Sequence, residues 1–456
     1  MATTIVTLNV SQTQAPTPSQ YQRTGAVISQ GGTTLAAGST GLITQTSDFT
    51  ALVSQAAAIT SLAWEADVVT VTLPAAHGIP TGDSTQVTIA GAVPTGYNGT
   101  FTATSTGETT FTYPLATDPG SESTPGTWLN YSATELTGAF STFFAQSAGI
   151  ACYILELGAG GADSGVAALS AYEALNPSTF YCYLVPRSWA PAPTYVAFAS
   201  LYESATAKKY FFTTPTLEDY DSFTELFKSV FMEIEAPTVN EASEFSTAAA
   251  FSRLLAYNPS PTNQVCPFGN GYQYGVTVYP ITPTEKVQFK AANLNYVATG
   301  AEGGISNTII QWGNTCDGRP FNYWYSVDWV QINLDLALAN EVINGANNPV
   351  APLYFDQFGI NRLQNRAANV MTQAISYGLA LGSVILTTLD GTTFATNVAT
   401  GVYAGYVVVN AVPFVSYNVT NPSDYAEGIY SGLSVVYTPK RGFDNIIVNL
   451  NVSDFA

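Results

Sequence analysis

Between residues 150 and 235 the sequence repeats one unit. Apolar, strand-like runs at Ile150–Leu157, Phe180–Pro186, Lys209–Thr214 and Ser229–Glu235 are separated by segments with helical spacing. Strands buried on both faces read as continuous apolar runs, and a helix between successive runs returns the chain so that the strands lie parallel. This predicts an α/β layer with a largely parallel central sheet. The predicted helices are Ala133–Gln146, Gly165–Leu175, Tyr195–Ala207 and Leu217–Phe227, then one from Asn240 to Leu255 ended by Asn258-Pro-Ser-Pro261. Two long helices are predicted further on, at Ser326–Ile343 and Phe355–Leu381. Strand-like segments follow at Ser383–Thr388, Gly405–Val412 and Leu433–Tyr437.

Ahead of the α/β region, residues 59–128 differ in kind. Thr, Val, Gly and Pro dominate, and short strands (Val68–Leu73, Gln86–Ile89, Thr100–Thr104, Thr109–Tyr113) alternate with turn sequences such as Val93-Pro-Thr-Gly-Tyr-Asn-Gly99. This block is expected to be a small, surface-projecting all-β insert. The resulting division is an N-terminal arm (1–22), an α/β core part (23–58 with 129–240), the insert (59–128), a second core part (241–442) and a C-terminal β arm (443–456).

The two ends share a pattern. Ile5, Val6, Leu8 and Val10 lie in one alternating segment, and Ile446, Val448, Leu450 and Val452 in another. Chain ends fray unless tied down. Either these strands pair within one sheet of the same chain, or they are arms that extend a sheet edge of a neighbouring subunit.

Composition bears on partners. Of 456 residues only 10% are charged, with 32 acids against 13 bases and a net charge of −19. Ordinary domains carry roughly 25% charged residues. The scarcity of bases argues against nucleic acid as a partner. No apolar run approaches the roughly 20 residues of a membrane helix, so no membrane insertion is expected. Met1–Val10 lacks the basic and apolar regions of a secretory signal. Cys152 and Cys182 sit in apolar runs and read as buried thiols, and Cys266 and Cys316 form no close pair. Assembly in a reducing cytoplasm is expected. A surface short of charge suits a protein whose exterior becomes interface.

The chemistry is sparse. His77, the one histidine, lies in Ala76-His-Gly-Ile-Pro-Thr-Gly-Asp83 and reads as a turn residue. Gly158-Ala-Gly-Gly-Ala-Asp-Ser-Gly165 stands where a phosphate loop would stand, between a strand and a helix, but lacks the Lys-Ser/Thr of such loops. Asp317 and Asp328 flank an aromatic stretch that includes Trp324, with Trp312 and Trp329 near by. They form the best acid pair for a glycoside hydrolase, or the tryptophans a face for glycans. A structural reading of these aromatics is preferred. The acidic span Glu218, Asp219, Asp221, Glu225, Glu233, Glu235, Glu241 and Glu244 lacks metal-loop spacing and is read as a solvated face. The expectation is no enzyme, no cofactor and no metal.

One resemblance stands out. Val412-Pro-Phe-Val-Ser-Tyr-Asn-Val-Thr-Asn-Pro-Ser-Asp-Tyr-Ala-Glu-Gly-Ile-Tyr-Ser-Gly-Leu-Ser434, running on through Val435-Val-Tyr-Thr-Pro-Lys-Arg-Gly-Phe443, resembles the end of a contractile bacteriophage (myovirus) tail sheath protein of the DUF3383 type. Asp317-Gly-Arg-Pro-Phe-Asn-Tyr-Trp-Tyr-Ser-Val-Asp-Trp-Val-Gln331 and Asp356-Gln-Phe-Gly-Ile-Asn-Arg-Leu363 are similar to that family too. The resemblance departs at Asp424 and Glu427, where a more basic segment would be expected. It implies a helical homo-oligomer of hexameric rings around a tail tube protein, with arms at Thr3–Ser11 and Asp444–Phe455. It also implies baseplate and tail terminator partners, a place in the virion, and contraction by rigid-body movement without nucleotide hydrolysis. Another virion surface or tail-fibre protein that binds host glycans is the alternative.

Overall fold

The computed structural model describes residues 18–444, except 148, 205, 224–226 and 303–304. The chain begins with a short helix α1 (Pro18–Tyr21), strands β1 (Gly25–Ser29) and β2 (Thr40–Ile43), and α2 (Thr46–Leu52). Seven strands follow with only a 3-10 turn at Thr95–Tyr97 among them: β3 (Ala57–Ala58), β4 (Ser61–Glu65), β5 (Val68–Thr72), β6 (Ser84–Ala90), β7 (Gly99–Gly107), β8 (Thr110–Pro114) and β9 (Thr127–Asn130). Then come α3 (Tyr131–Gln146), β10 (Cys152–Glu156), α4 (Ala162–Leu175), β11 (Cys182–Leu184), α5 (Pro193–Ser200), β12 (Tyr210–Thr213), β13 (Val230–Ile234) and α6 (Thr247–Leu255). The remainder is α7 (Pro283–Ala291), β14 (Asn295–Glu302), β15 (Ile305–Gln311), α8 (Phe321–Asn347), α9 (Gln357–Ser376), β16 (Val384–Thr387), α10 (Gly391–Ala399), β17 (Val407–Ala411), α11 (Phe414–Thr420), α12 (Asp424–Glu427) and β18 (Leu433–Val436).

The strands form three sheets. The largest has the order β15-β14-β13-β12-β11-β1-β10-β2. Its inner pairings are parallel, with Val27 of β1 opposite both Ile154 and Leu184. Its outermost pairings, β10 with β2 and β14 with β15, are antiparallel. Alternation along the strands separates two cores. Val27, Ile154, Leu184, Phe212 and Phe231 face Phe140, Phe251, Leu254, Phe321 and Tyr325 from α3, α6 and α8. Ala26, Ile28, Leu155, Tyr183, Phe211 and Met232 face Val166, Leu169 and Phe198 from α4 and α5. Because β13 pairs with β14, the sheet runs across residue 240. The insert strands form a seven-stranded antiparallel sheet with its own core of Val69, Val71, Val87, Phe111 and Tyr113. A three-stranded sheet, β16-β17-β18, packs against α9.

Several predicted elements differ. Among described residues, Leu217–Phe227 holds only a 3-10 turn at Tyr220–Phe223, since the Asp219 carboxylate accepts from the Thr216 amide and closes a local turn. The helix expected from Asn240 starts at Thr247, because the preceding turns cross α3 at Gly138. The helix expected through Ala207 ends at Ser200. The helix expected to reach Leu381 stops at Ser376, before Gly378 at φ +79°. The hairpin β14–β15 and the helix α7 have no counterpart in the sequence reading. Among the described residues no helix is long and apolar enough to cross a membrane.

Candidate functional site

The chain passes from β1 to β10 on one side, then back across to β11 on the other, so β1 lies at a reversal of strand order. In open α/β sheets a crevice forms there, at the carboxyl ends of the strands, and commonly holds ligands. Here a crevice of about 450 Å³ is bounded by Gln30 after β1, Gly160 and Gly161 after β10, and Arg187 after β11. The insert closes its far side with Ser84, Thr85, Gln86 and Thr102.

Gln30 and Gly161 are engaged within the chain. Gln30 donates to the carbonyls of Gly160 (3.3 Å) and Gly161 (2.7 Å) and accepts from the Trp189 indole (2.6 Å). The amide of Gly161, the residue capping α4, donates to Asp83 Oδ2 of the insert at 3.3 Å. A carboxylate at a helix amino end meets unpaired amides and the positive end of the dipole. The place a phosphate would take beside the glycine-rich connection thus holds the insert's own anion. A Cβ on Gly161 would lie 2.7 Å from the Ser84 carbonyl, so glycine is needed for this close approach. Where it meets the core, the insert is seated on the strand ends. Glu156, at the end of β10, braces the same region, accepting from Ser29 Oγ, Thr33 Oγ1 and the amides of Gly31 and Gly158.

The acidic span is not one solvated face. Glu218, Asp221 and Glu241 are exposed and Asp219 half-buried, whereas Glu225 lies outside the described residues. Glu233 and Glu244 are buried and Glu235 nearly so, because β13 is covered on both faces. Arg187 binds Glu235 through two nitrogens (2.7 and 2.9 Å) and reaches Glu135 at 3.4 Å, with its guanidinium 3.8 Å from the Phe245 ring centre. Burial pushes Glu135 upward, opposed by Arg187. Glu233 accepts from Gln273 Nε2 at 3.0 Å, and desolvation raises its pKa to about 8. Glu244 accepts from Thr277 N and Oγ1, both at 2.6 Å. This is a buried network tying β11, β13 and α3 to the 270–277 loop.

The acid pair does not assemble an accessible site. Asp328 is fully buried in α8, its Oδ2 accepting from Tyr181 (2.9 Å) and Tyr210 (2.7 Å) beneath the sheet. Burial pushes its pKa to about 6. Asp317 instead closes a turn, accepting from Thr315 Oγ1 (2.6 Å), the Arg319 amide (3.1 Å) and the Trp324 indole (2.9 Å). Trp324 and Trp329 are 6% and 3% exposed, so neither presents a ring face to a sugar. Trp312 is also buried, edge-on to Tyr296. His77 Nδ1 accepts from the Ile79 amide, which leaves Nε2 to donate to the Gly107 carbonyl at 2.8 Å. It is a buried turn brace. Cys152, Cys182 and Cys316 are buried thiols and Cys266 is exposed; all four are unpaired. Among the described residues no cluster of His, Cys, Asp or Glu is placed to hold a metal ion.

What the surface offers is apolar area. Val350, Val415 and Val419 are 91%, 73% and 77% exposed, and Tyr354, Phe358, Leu386, Val402 and Tyr425 are exposed as well. No sequence signal singled these out, since exposure depends on which helix face is left without a partner. The arm residues Ile5, Val6, Leu8, Val10, Ile446, Val448, Leu450 and Val452 lie outside the described residues.

No family model matches the chain, and no curated protein matches it in sequence. Solved structures do. A chain of the anti-feeding prophage baseplate, determined by cryo-EM with six-fold symmetrisation, aligns over 99% of this chain and 100% of its own, with TM-score 0.55 and 13% identity. The helical sheath of the same prophage in its contracted state aligns over 69% of this chain and 82% of its own (TM-score 0.45, 11% identity). The sheath tail protein of Listeria innocua aligns over 78% and 85% (TM-score 0.39, 11% identity). Along almost its whole length, the chain shares the mixed α/β fold of a protein built into that six-fold baseplate.

Proposed function

We propose that this chain is a structural subunit of a contractile tail sheath, of the DUF3383 type, that polymerises as stacked hexameric rings around a tail tube protein. Its contraction by rigid-body rearrangement would drive the tube through the host envelope. The observation that carries the reading is the end-to-end fold likeness to a chain of a six-fold tail-like baseplate. Three features support it. The chain has few charges with which to dress a free surface. Its apolar side chains emerge mainly from residues 330–443. The residues best placed for hydrolysis or glycan stacking, Asp328, Trp324 and Trp329, are spent on the core.

In this reading the terminal arms add strands to neighbouring copies. The three-stranded sheet has β16 and β18 as its two outer strands, edges of the kind an arriving strand extends. Baseplate and tail terminator proteins would meet the ends of the stack, and the finished assembly would belong to the virion. Negative-stain microscopy of the purified chain tests the proposal: hollow tubes or rings are expected. Removing residues 444–456 should leave a folded body that forms neither. Normal tubes from that truncated chain would refute the arm mechanism, and dispersed full-length protein under all assembly conditions would refute the sheath reading.

A further inference from the structure

Among the described residues a single lysine side chain is paired with a carboxylate: Lys209, just before β12, with Glu173 in the last turn of α4. Both side chains are only 5% exposed. Nζ lies 2.9 Å from each of the two carboxylate oxygens, so the amine faces the carbon between them rather than one oxygen end-on. Reacting atoms in near-attack geometry lie roughly 3–3.5 Å apart, and equal spacing from both oxygens holds Nζ at about that separation from Cδ.

The surroundings favour condensation. The Tyr21 and Tyr183 rings lie 5.9 and 5.7 Å from Nζ and keep the pair dry. Burial lowers the Lys209 pKa against the pull of Glu173, which favours the uncharged, nucleophilic amine. The Tyr183 hydroxyl donates to Glu173 Oε1, the atom on which charge collects as an amine adds to Cδ. The Phe180 carbonyl accepts from Nζ at 2.6 Å and fixes the direction of the amine. Both side chains border a surface groove also lined by Pro177 and Leu201, which gives a released water a way out.

We infer that Lys209 and Glu173 condense into an isopeptide bond, a cross-link that the chain makes for itself between α4 and β12. One Nζ proton passes to Oε2, leaving an amine and a carboxylic acid. The Nζ lone pair then forms the bond to Cδ, while the Cδ–Oε1 π pair moves onto Oε1 under the Tyr183 hydroxyl. A second Nζ proton passes to Oε2, the Cδ–Oε2 bond breaks and water departs as Oε1 re-forms the carbonyl. The third Nζ proton stays and still donates to the Phe180 carbonyl. Tyr183 keeps its own proton, and no further reactant is needed. Holding the two groups in place supplies an effective concentration on the order of 10⁵–10⁸ M, which opposes hydrolysis of the new amide. The inference does not depend on the sheath reading, since it concerns chemistry within one chain.

Mass spectrometry of the intact, folded, full-length chain tests it. The mass should fall one water below that of the sequence, and a tryptic digest should contain a branched peptide joining Glu173 to Lys209. Glu173→Ala and Lys209→Met should each show the full mass of their own sequences. Tyr183→Phe, sampled at intervals after synthesis, should lose the water about a hundred-fold more slowly. A folded wild-type chain at its full sequence mass would overturn the inference. So would a water loss that persists in Glu173→Ala, as from dehydration at Asp317-Gly318, or closure at the wild-type rate in Tyr183→Phe.

Discussion

Replacing Glu233 by Gln should make the protein's stability much less dependent on pH. Glu233 is fully buried on β13, and desolvation, reinforced by the nearby Glu235 and Glu244 carboxylates, raises its pKa from 4.5 to about 8. Between those values the folded chain keeps a proton that the unfolded chain releases. The stabilising contribution is therefore complete below pH 4.5 and is lost as pH rises through 8. At 1.36 kcal/mol per pKa unit, the loss from pH 5 to pH 8 comes to about 3–4 kcal/mol. The amide introduced by Glu233→Gln cannot ionise. It can still accept from Gln273 Nε2 as the Glu233 carboxyl does, and it can donate to Gln273 Oε1, which otherwise has no partner. Urea unfolding followed by tryptophan fluorescence at pH 5, 6.5 and 8 supplies the measurement. The variant should fall behind or match the wild type at pH 5 and exceed it at pH 8, the two curves separating by about 3–4 kcal/mol across the range. Parallel curves would show that Glu233 is ionised in the folded state and that the burial argument fails.

Other perturbations probe different parts of the body. Arg187→Met leaves Glu135 and Glu235 without their cation in a dry setting and should cost about 3–5 kcal/mol at pH 7, less at pH 4, in the same unfolding assay. Gly138→Ala would place a Cβ 2.2 Å from the Glu241 carbonyl; a loss of about 1–3 kcal/mol is expected, seen as a lower melting temperature by circular dichroism. Asp83→Ala removes the carboxylate at the start of α4. It should speed hydrogen exchange of the Gly161–Gly165 amides and of β6, with the central strands unaffected.

Particular residues show how far the pattern could be read. The apolar runs that became β10, β11, β12 and β13 were legible because both faces of each strand are buried, which leaves a continuous hydrophobic signature. The strands of the Thr- and Val-rich stretch were legible from its spaced turn sequences, and His77 from its place in one of them. The β14–β15 hairpin was not legible: Asn295–Gln311 scatters Asn, Thr and Gly among its apolar residues and lacks the continuous apolar run of the inner strands. Tyr296, Val297 and Ile310 are buried there, and the remainder is held by backbone pairing with β13 and within the hairpin, which involves groups that every sequence shares. The helix expected at Leu217–Phe227 has the spacing but loses to a local Asp219 turn. The acidic span misled for a related reason. Glu218 and Glu233 look alike in one dimension, and only the layering of the sheet sends one to water and the other into the core.

By itself, the sequence determined the class of fold and the poverty of charge. Those properties follow from local periodicity and residue chemistry. Only the tertiary structure decided that Asp328 and Trp329 are buried and that the Asp83 carboxylate accepts from the Gly161 amide at the start of α4. These depend on contacts between residues far apart in the chain, and no local pattern encodes which distant groups will meet.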